Sequence, residues 1–164
     1  MQLLIDSHVH LDLEAFEADR AAVIARAEAA GVGQLVVPAT DAESWPRIHA
    51  LCDDRPGIHP AYGLHPLFMD RHRPEHLERL GDWLGDHPAV AVGEIGLDYH
   101  GAGSDRDLEQ RFFEIQLRLA RELDLPVIVH ARQALEEVSL SLRRCPGARG
   151  VVHSFSGSEQ QAAK

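Results

Sequence analysis

The stretch Val90-Ala91-Val92-Gly93-Glu94-Ile95-Gly96-Leu97-Asp98 decides the fold class. Its apolar residues do not alternate with polar ones, so the strand it forms is covered on both faces, as in a parallel sheet flanked by helices. Leu35-Val36-Val37-Pro38-Ala39 and Pro126-Val127-Ile128-Val129-His130 have the same character. Working outward, Leu3–His8, Gln34–Thr40, Ile58–His65, Ala89–Asp98, Pro126–Ala131 and Gly150–Phe155 read as strands. Helical periodicity fills the intervals. A first helix over Leu13–Ala30 carries Leu13, Phe16, Val23 and Ala27 on one stripe and stops at Gly31; a second runs Ser44–Arg55. A third opens at Pro74 and carries Leu77, Leu80 and Leu84. The fourth takes Asp107 as N-cap with Gln110 three residues on, and its stripe is Leu108, Phe112, Ile115, Leu119 and Leu123. A fifth spans Ala134–Cys145, and a sixth begins after the last strand.

Six consecutive strand–helix units define a parallel α/β fold, which either a doubly wound sheet or a barrel satisfies. Gly101-Ala102-Gly103 lacks the third glycine of a dinucleotide fingerprint and the Gly-Lys-Ser/Thr of a P-loop. The length of 164 residues suits one domain, 1–164, and 45% hydrophobic with 26% charged residues suits a globular chain. A net charge of −10, from 16 basic and 26 acidic side chains, argues against a broad basic face for non-specific nucleic-acid binding. It leaves a polyanionic substrate open, because bound dications make a pocket locally positive whatever the surface average. No secretory signal or membrane-spanning stretch is read, and Cys52 and Cys145 lack metal-site spacing. Both are expected to be reduced packing residues in a cytoplasmic protein.

Asp6, His8 and His10 alternate, so in an extended chain the two imidazoles project together, about 6.6 Å apart along the backbone. That spacing suits one metal ion, although a polar strand end would look the same. Phase adds the stronger signal. Glu94, His130 and His153 each fall at the C-terminal end of a strand, the rim where parallel α/β folds place their chemistry. Five candidate ligands in register (His8, His10, Glu94, His130 and His153) compete with a reading as buried, hydrogen-bonded core histidines. A carboxylate between two groups of histidines suits the bridge between two metals about 3.5–4 Å apart. A carboxylated lysine bridge is excluded within the chain, whose single lysine is Lys164.

Other positions are open to two readings. His65 reads as a substrate contact or as a structural hydrogen bond, and Arg132 as a grip on a phosphate oxygen or as the partner of a carboxylate. Asp41 reads as a partner behind the ligands or as a helix cap. Ser154 and Ser156 make no nucleophile elbow. His72, His76 and His87 are expected on the surface.

These residues resemble the TatD-type metal-dependent deoxyribonucleases of the amidohydrolase-like barrels. The resemblance rests on Asp6-Ser-His-Val-His10, Pro38-Ala-Thr-Asp41, Gly63-Leu-His-Pro66, Val92-Gly-Glu-Ile-Gly-Leu-Asp98, Leu125-Pro-Val-Ile-Val-His-Ala-Arg132 and His153-Ser-Phe-Ser-Gly157, in the family's order. It implies a TIM-like (β/α) barrel, of which this chain holds six of eight units. It also implies two divalent ions (Zn, Mn or Mg) and DNA as substrate, hydrolysed at phosphodiester bonds, often from the 3′ end. By the same resemblance His8 and His10 hold one ion, Glu94 bridges, and His130 and His153 hold the second. The family continues for roughly another hundred residues, with two further strands and a late aspartate that nothing here matches. Either the chain is a truncated product, expected to self-associate through unpaired edge strands, or it is part of a longer protein expected to complete an ordinary eight-stranded barrel. Amide or lactone hydrolysis on the same scaffold and a non-catalytic metal-binding remnant are the competing readings.

Overall fold

The computed structural model describes residues 3–100 and 105–163, so the glycine pair at 101 and 103 and Lys164 lie outside the described residues. Six strands, β1 (Leu4–Asp6), β2 (Val32–Pro38), β3 (Ile58–Tyr62), β4 (Ala91–Asp98), β5 (Val127–Arg132) and β6 (Gly150–Val152), alternate with six helices. The helices are α1 (Arg20–Ala29), α2 (Ser44–Asp53), α3 (Pro74–Asp86), α4 (Arg106–Glu122), α5 (Leu135–Arg144) and α6 (Glu159–Ala162), with 3₁₀ turns at Glu14–Phe16 and Pro66–Arg71. Every strand pairs in parallel with the next, in the order β1 to β6.

That order separates the two architectures. A doubly wound sheet reverses its strand order at a switch point, and this sheet does not. It also curls. Strands about 4.8 Å apart would put the edges of a flat six-stranded sheet about 24 Å from each other. Yet the rings of His8, after β1, and His153, after β6, stack with centroids 3.7 Å apart. At the rim, Ala39 accepts from Glu94 N–H at 3.1 Å, passing over β3 to join the end of β2 directly to β4. The result is an open, six-stranded barrel segment.

Its two faces differ in side-chain size. Ala61, Ala91 and Ile128 form a small inner cluster with Val36, while Ile24, Ile48, Leu80, Phe113, Leu117 and Val138 fill the larger core between sheet and helices. β4 is buried along its whole length, as its uninterrupted apolar run requires. β1 and β6 are shorter than their sequence runs because each has a partner on one side only among the described residues. Leu4, Ile5 and Val151 are exposed there. Among the described residues no helix is long and apolar enough to cross a membrane.

Three expectations need correction. The first helix is broken, because Arg20 Nε donates to Leu11 O at 2.6 Å and turns the chain between the 3₁₀ segment and α1. The cap of α4 is Asp105, whose Oδ1 accepts from Leu108 N–H, two residues before the expected Asp107. The face α4 turns to the sheet is Phe113, Gln116, Leu117 and Ala120, whereas Ile115 and Leu119 are only partly buried and Leu123 is exposed.

Candidate metal centre

Glu94 is the centre of the site and is 1% exposed. A register shift between Gly93 and Ile95 sets it out of the regular β4–β5 ladder, and the Gly93–Glu94 peptide is cis. Four imidazoles close on its carboxylate. His8 Nε2 lies 3.0 Å, His65 Nε2 3.2 Å and His10 Nε2 3.5 Å from Oε2, and His130 Nδ1 lies 3.2 Å from Oε1. Burial alone would raise the Glu94 pKa. Hydrogen bonds from His10, His130, His65 and His8, donated by their protonated rings, outweigh it and hold the carboxyl far below the usual carboxylate range.

Backbone partners orient the rings. His10 Nδ1 lies 3.0 Å from Pro38 O, an acceptor only, so the proton of the neutral ring sits on Nδ1 and a bare Nε2 faces Glu94. His65 has the opposite arrangement. Its Nδ1 accepts from Leu67 N–H at 3.0 Å, which leaves the proton on Nε2 and makes that atom a donor toward Glu94. His8 follows β1, and the backbone of Val9 beside it donates to Val36 O at 3.0 Å, so the extended phase carries on past the strand.

His8, His10 and Glu94 present ligand atoms within 4.8 Å of one another, and so do His65, Glu94 and His130. Ligands about 2.1 Å from a tetrahedral ion stand about 3.4 Å apart, and the 3.0, 3.2 and 3.5 Å separations here bracket that value. The donor set, imidazoles around one carboxylate, fits a borderline divalent ion. By its tautomer His65 is less suited to ligation than its distance suggests. His153 is not in either group; its ring lies on His8, and burial followed by the neighbouring His8 charge depresses its pKa.

Arg132 ends β5 and is exposed at the rim. Asp41 accepts from Ser44 N–H at 2.9 Å and from Arg71 Nη1 at 3.1 Å, so it ties the first residue of α2 to the Pro66–Arg71 turn. The three histidines expected on the surface are half-buried instead. His72 Nε2 donates to His65 O and the ring stacks on Phe112; His87 stacks on Trp83; His76 Nδ1 accepts from Arg73 N–H at the start of α3. Sequence reasoning missed Asp98, whose Oδ2 is 3.0 Å from His130 Nε2. Its position four residues after Glu94 on the same strand was the available signal.

A curled parallel sheet with imidazoles and a carboxylate at the C-terminal rim defines a barrel of the metal-dependent hydrolase type. The family model for TatD related DNase matches residues 5–164, and the chain belongs to that family. It is 44% identical over 163 residues to the uncharacterized metal-dependent hydrolase YjjV of Escherichia coli K12, covering 98% of this chain and 63% of the relative. It is 35% identical to the 3′-5′ ssDNA/RNA exonuclease TatD of Cronobacter sakazakii, covering 97% of this chain and 61% of the relative. The crystal structure of Escherichia coli YjjV superposes with a TM-score of 0.92 at 43% identity, over 98% of this chain and 63% of that one. The chain thus spans about three-fifths of the length of these relatives.

Proposed function

We propose that the chain carries the metal-binding part of a phosphodiester hydrolase acting on nucleic acid. The observation that carries the reading is Glu94, buried at the meeting point of His8 and His10 on one side and His130 on the other. In this reading His8, His10 and Glu94 would hold one divalent ion, and Glu94, His130 and His153 would hold a second. Ions held there supply Lewis-acid charge neutralisation and acidify water for attack on phosphorus. His10 turns its bare Nε2 inward because Pro38 O holds its other nitrogen. His65, released from Glu94 when that carboxylate holds metal, would hydrogen-bond a phosphate oxygen of the substrate through its Nε2–H, and Arg132 would grip a neighbouring phosphate at the rim. No side-chain nucleophile is required. The substrate class follows a relative named as a 3′-5′ ssDNA/RNA exonuclease, and the activity is proposed for the whole protein. A cytoplasmic address goes with it, supported by two unpaired cysteines.

The test is hydrolysis of a 3′-labelled DNA strand with added Mn²⁺, Mg²⁺ or Zn²⁺, run beside an ester and a cyclic amide. Release of nucleotides from the 3′ end, lost with Glu94→Gln, is expected. Turnover of the ester or amide alone would assign a different substrate class.

A further inference from the structure

Asp98 stands at the end of β4 and is 5% exposed. Its two oxygens have separate partners. Oδ1 accepts from His100 N–H at 3.0 Å, and Oδ2 faces His130 Nε2 at 3.0 Å. Its own backbone N–H donates to the buried Glu109 Oε2 at 3.0 Å, so α4 braces the residue from behind. His130 therefore lies between two carboxylates, with Nε2 on Asp98 and Nδ1 on Glu94 Oε1 at 3.2 Å.

A neutral imidazole has one N–H and one lone pair, and its partners decide which nitrogen has which. Glu94 is already approached by His8, His10 and His65, whereas Oδ2 of Asp98 faces His130 at the shorter distance. A carboxylate accepts and does not donate, so the proton belongs on Nε2. We propose that Asp98 is a positioning residue that holds His130 in its Nε2–H tautomer and thereby makes Nδ1 the ring atom offered to a metal ion. The metal half of this statement rests on the function proposed above; the tautomer half rests on hydrogen bonding within the metal-free chain.

The replacement Asp98→Asn separates charge and tautomer from shape. The amide oxygen stays with His100 N–H, which needs an acceptor, and this turns the amide NH₂ toward His130 Nε2. That nitrogen must then accept, and the ring proton moves to Nδ1, where it blocks ligation. An equivalent change behind a catalytic histidine is known to leave geometry intact while producing the wrong tautomer. Losing such a partner behind a metal-binding histidine typically costs 10- to 100-fold in affinity.

The experiment records long-range ¹H–¹⁵N correlations of His130 in the metal-free 164-residue chain, at alkaline pH where the ring is neutral. Zn²⁺ and Mn²⁺ titrations by calorimetry accompany it. The Nε2–H pattern in the parent, the Nδ1–H pattern in Asp98→Asn, and about 10- to 100-fold weaker uptake in that variant support the proposal. An Nδ1–H pattern in the parent overturns it, as does the same tautomer in both proteins. Should Asp98→Asn fail to fold, the parent spectrum alone still decides. A parent that shows Nε2–H yet takes up no metal supports the positioning role of Asp98 and instead removes the proposed function.

Discussion

A Cβ placed on Gly96 would stand 2.0 Å from the carbonyl oxygen of His130, its registered partner across the β4–β5 ladder. Gly96 also has φ +137°, which L side chains rarely adopt. The colliding atom is backbone and has no rotamer to change. Gly96→Ala should therefore part the two strands where Glu94 and His130 approach to 3.2 Å. Destabilisation of at least about 1–3 kcal/mol and weaker metal uptake are expected from urea unfolding and calorimetry. Gly81→Ala is the contrast. Gly81 lies within α3, and outside that helix the added carbon meets only Leu119 Cδ1 of α4, at 3.7 Å. There alanine should stabilise by about 0.5–1 kcal/mol and leave metal uptake unchanged.

Glu94→Gln should empty both proposed ion sites together, because the carboxylate is common to the two ligand groups. Elemental analysis after dialysis measures this. His76→Ala, which removes a ring bonded to Arg73 N–H and remote from Glu94, should keep the parent's metal content. Equal metal in Glu94→Gln and the parent would refute the shared carboxylate.

Protons and metal compete for the same nitrogens. Burial pulls the pKa values of His10 and His130 down, but the hydrogen bonds and charge of Glu94 more than offset it, so both lie above the ordinary 6.5. Their contribution to the metal-free fold is complete below pH 6.5 and is lost as pH rises through the raised values. His65 and His153 are lowered, chiefly by burial, and act in the opposite sense, weakening the fold as pH falls below 6.5. Added Mn²⁺ binds neutral imidazoles only, so its stabilising effect should grow with pH through and above that point. Melting temperatures with and without Mn²⁺ between about pH 5.5 and 8.5 span the imidazole range. A metal increment that does not vary with pH would count against imidazole ligation.

Both thiols should be unreactive in the folded chain. Burial, with the nearby Asp12 charge second, pushes Cys52 up to about 12, and Cys145 is buried with its sulfur 3.8 Å from Leu117 O. A chromogenic disulfide reagent at pH 8 should titrate neither rapidly until urea is added. Prompt reaction of either thiol would show that the α2 or α5 packing opens.

Leu4, Ile5 and Val151 stay exposed on strands that each have one partner among the described residues. Such edges pair with other chains. Sedimentation of the 164-residue chain should show self-association that Ile5→Lys with Val151→Lys reduces. A monomer at high micromolar concentration would argue that the edges are protected.

The parallel class was legible in Leu35–Ala39 and Val90–Ile95 because burial on both faces leaves a composition that needs no long-range information to read. The convergence of Glu94 and His130 was legible for a similar reason: position along a strand decides whether a side chain reaches the rim, and the two side chains approach to 3.2 Å. The curl of the sheet was not legible in the same way. It accumulates from the twist of every strand pair and from packing on both faces, and it alone brings His8 onto His153. Nor did spacing reveal that His65 would crowd Glu94 while His153 stood off, or which nitrogen of each ring would face inward. For His10 and His130 those choices depend on acceptors that tertiary structure delivers from elsewhere, Pro38 O and Asp98 Oδ2, whereas His65 is set by the turn that brings Leu67 N–H onto its Nδ1. An imidazole in the sequence is a donor and an acceptor at once, and only its hydrogen-bonded neighbours determine which of its nitrogens remains free to bind.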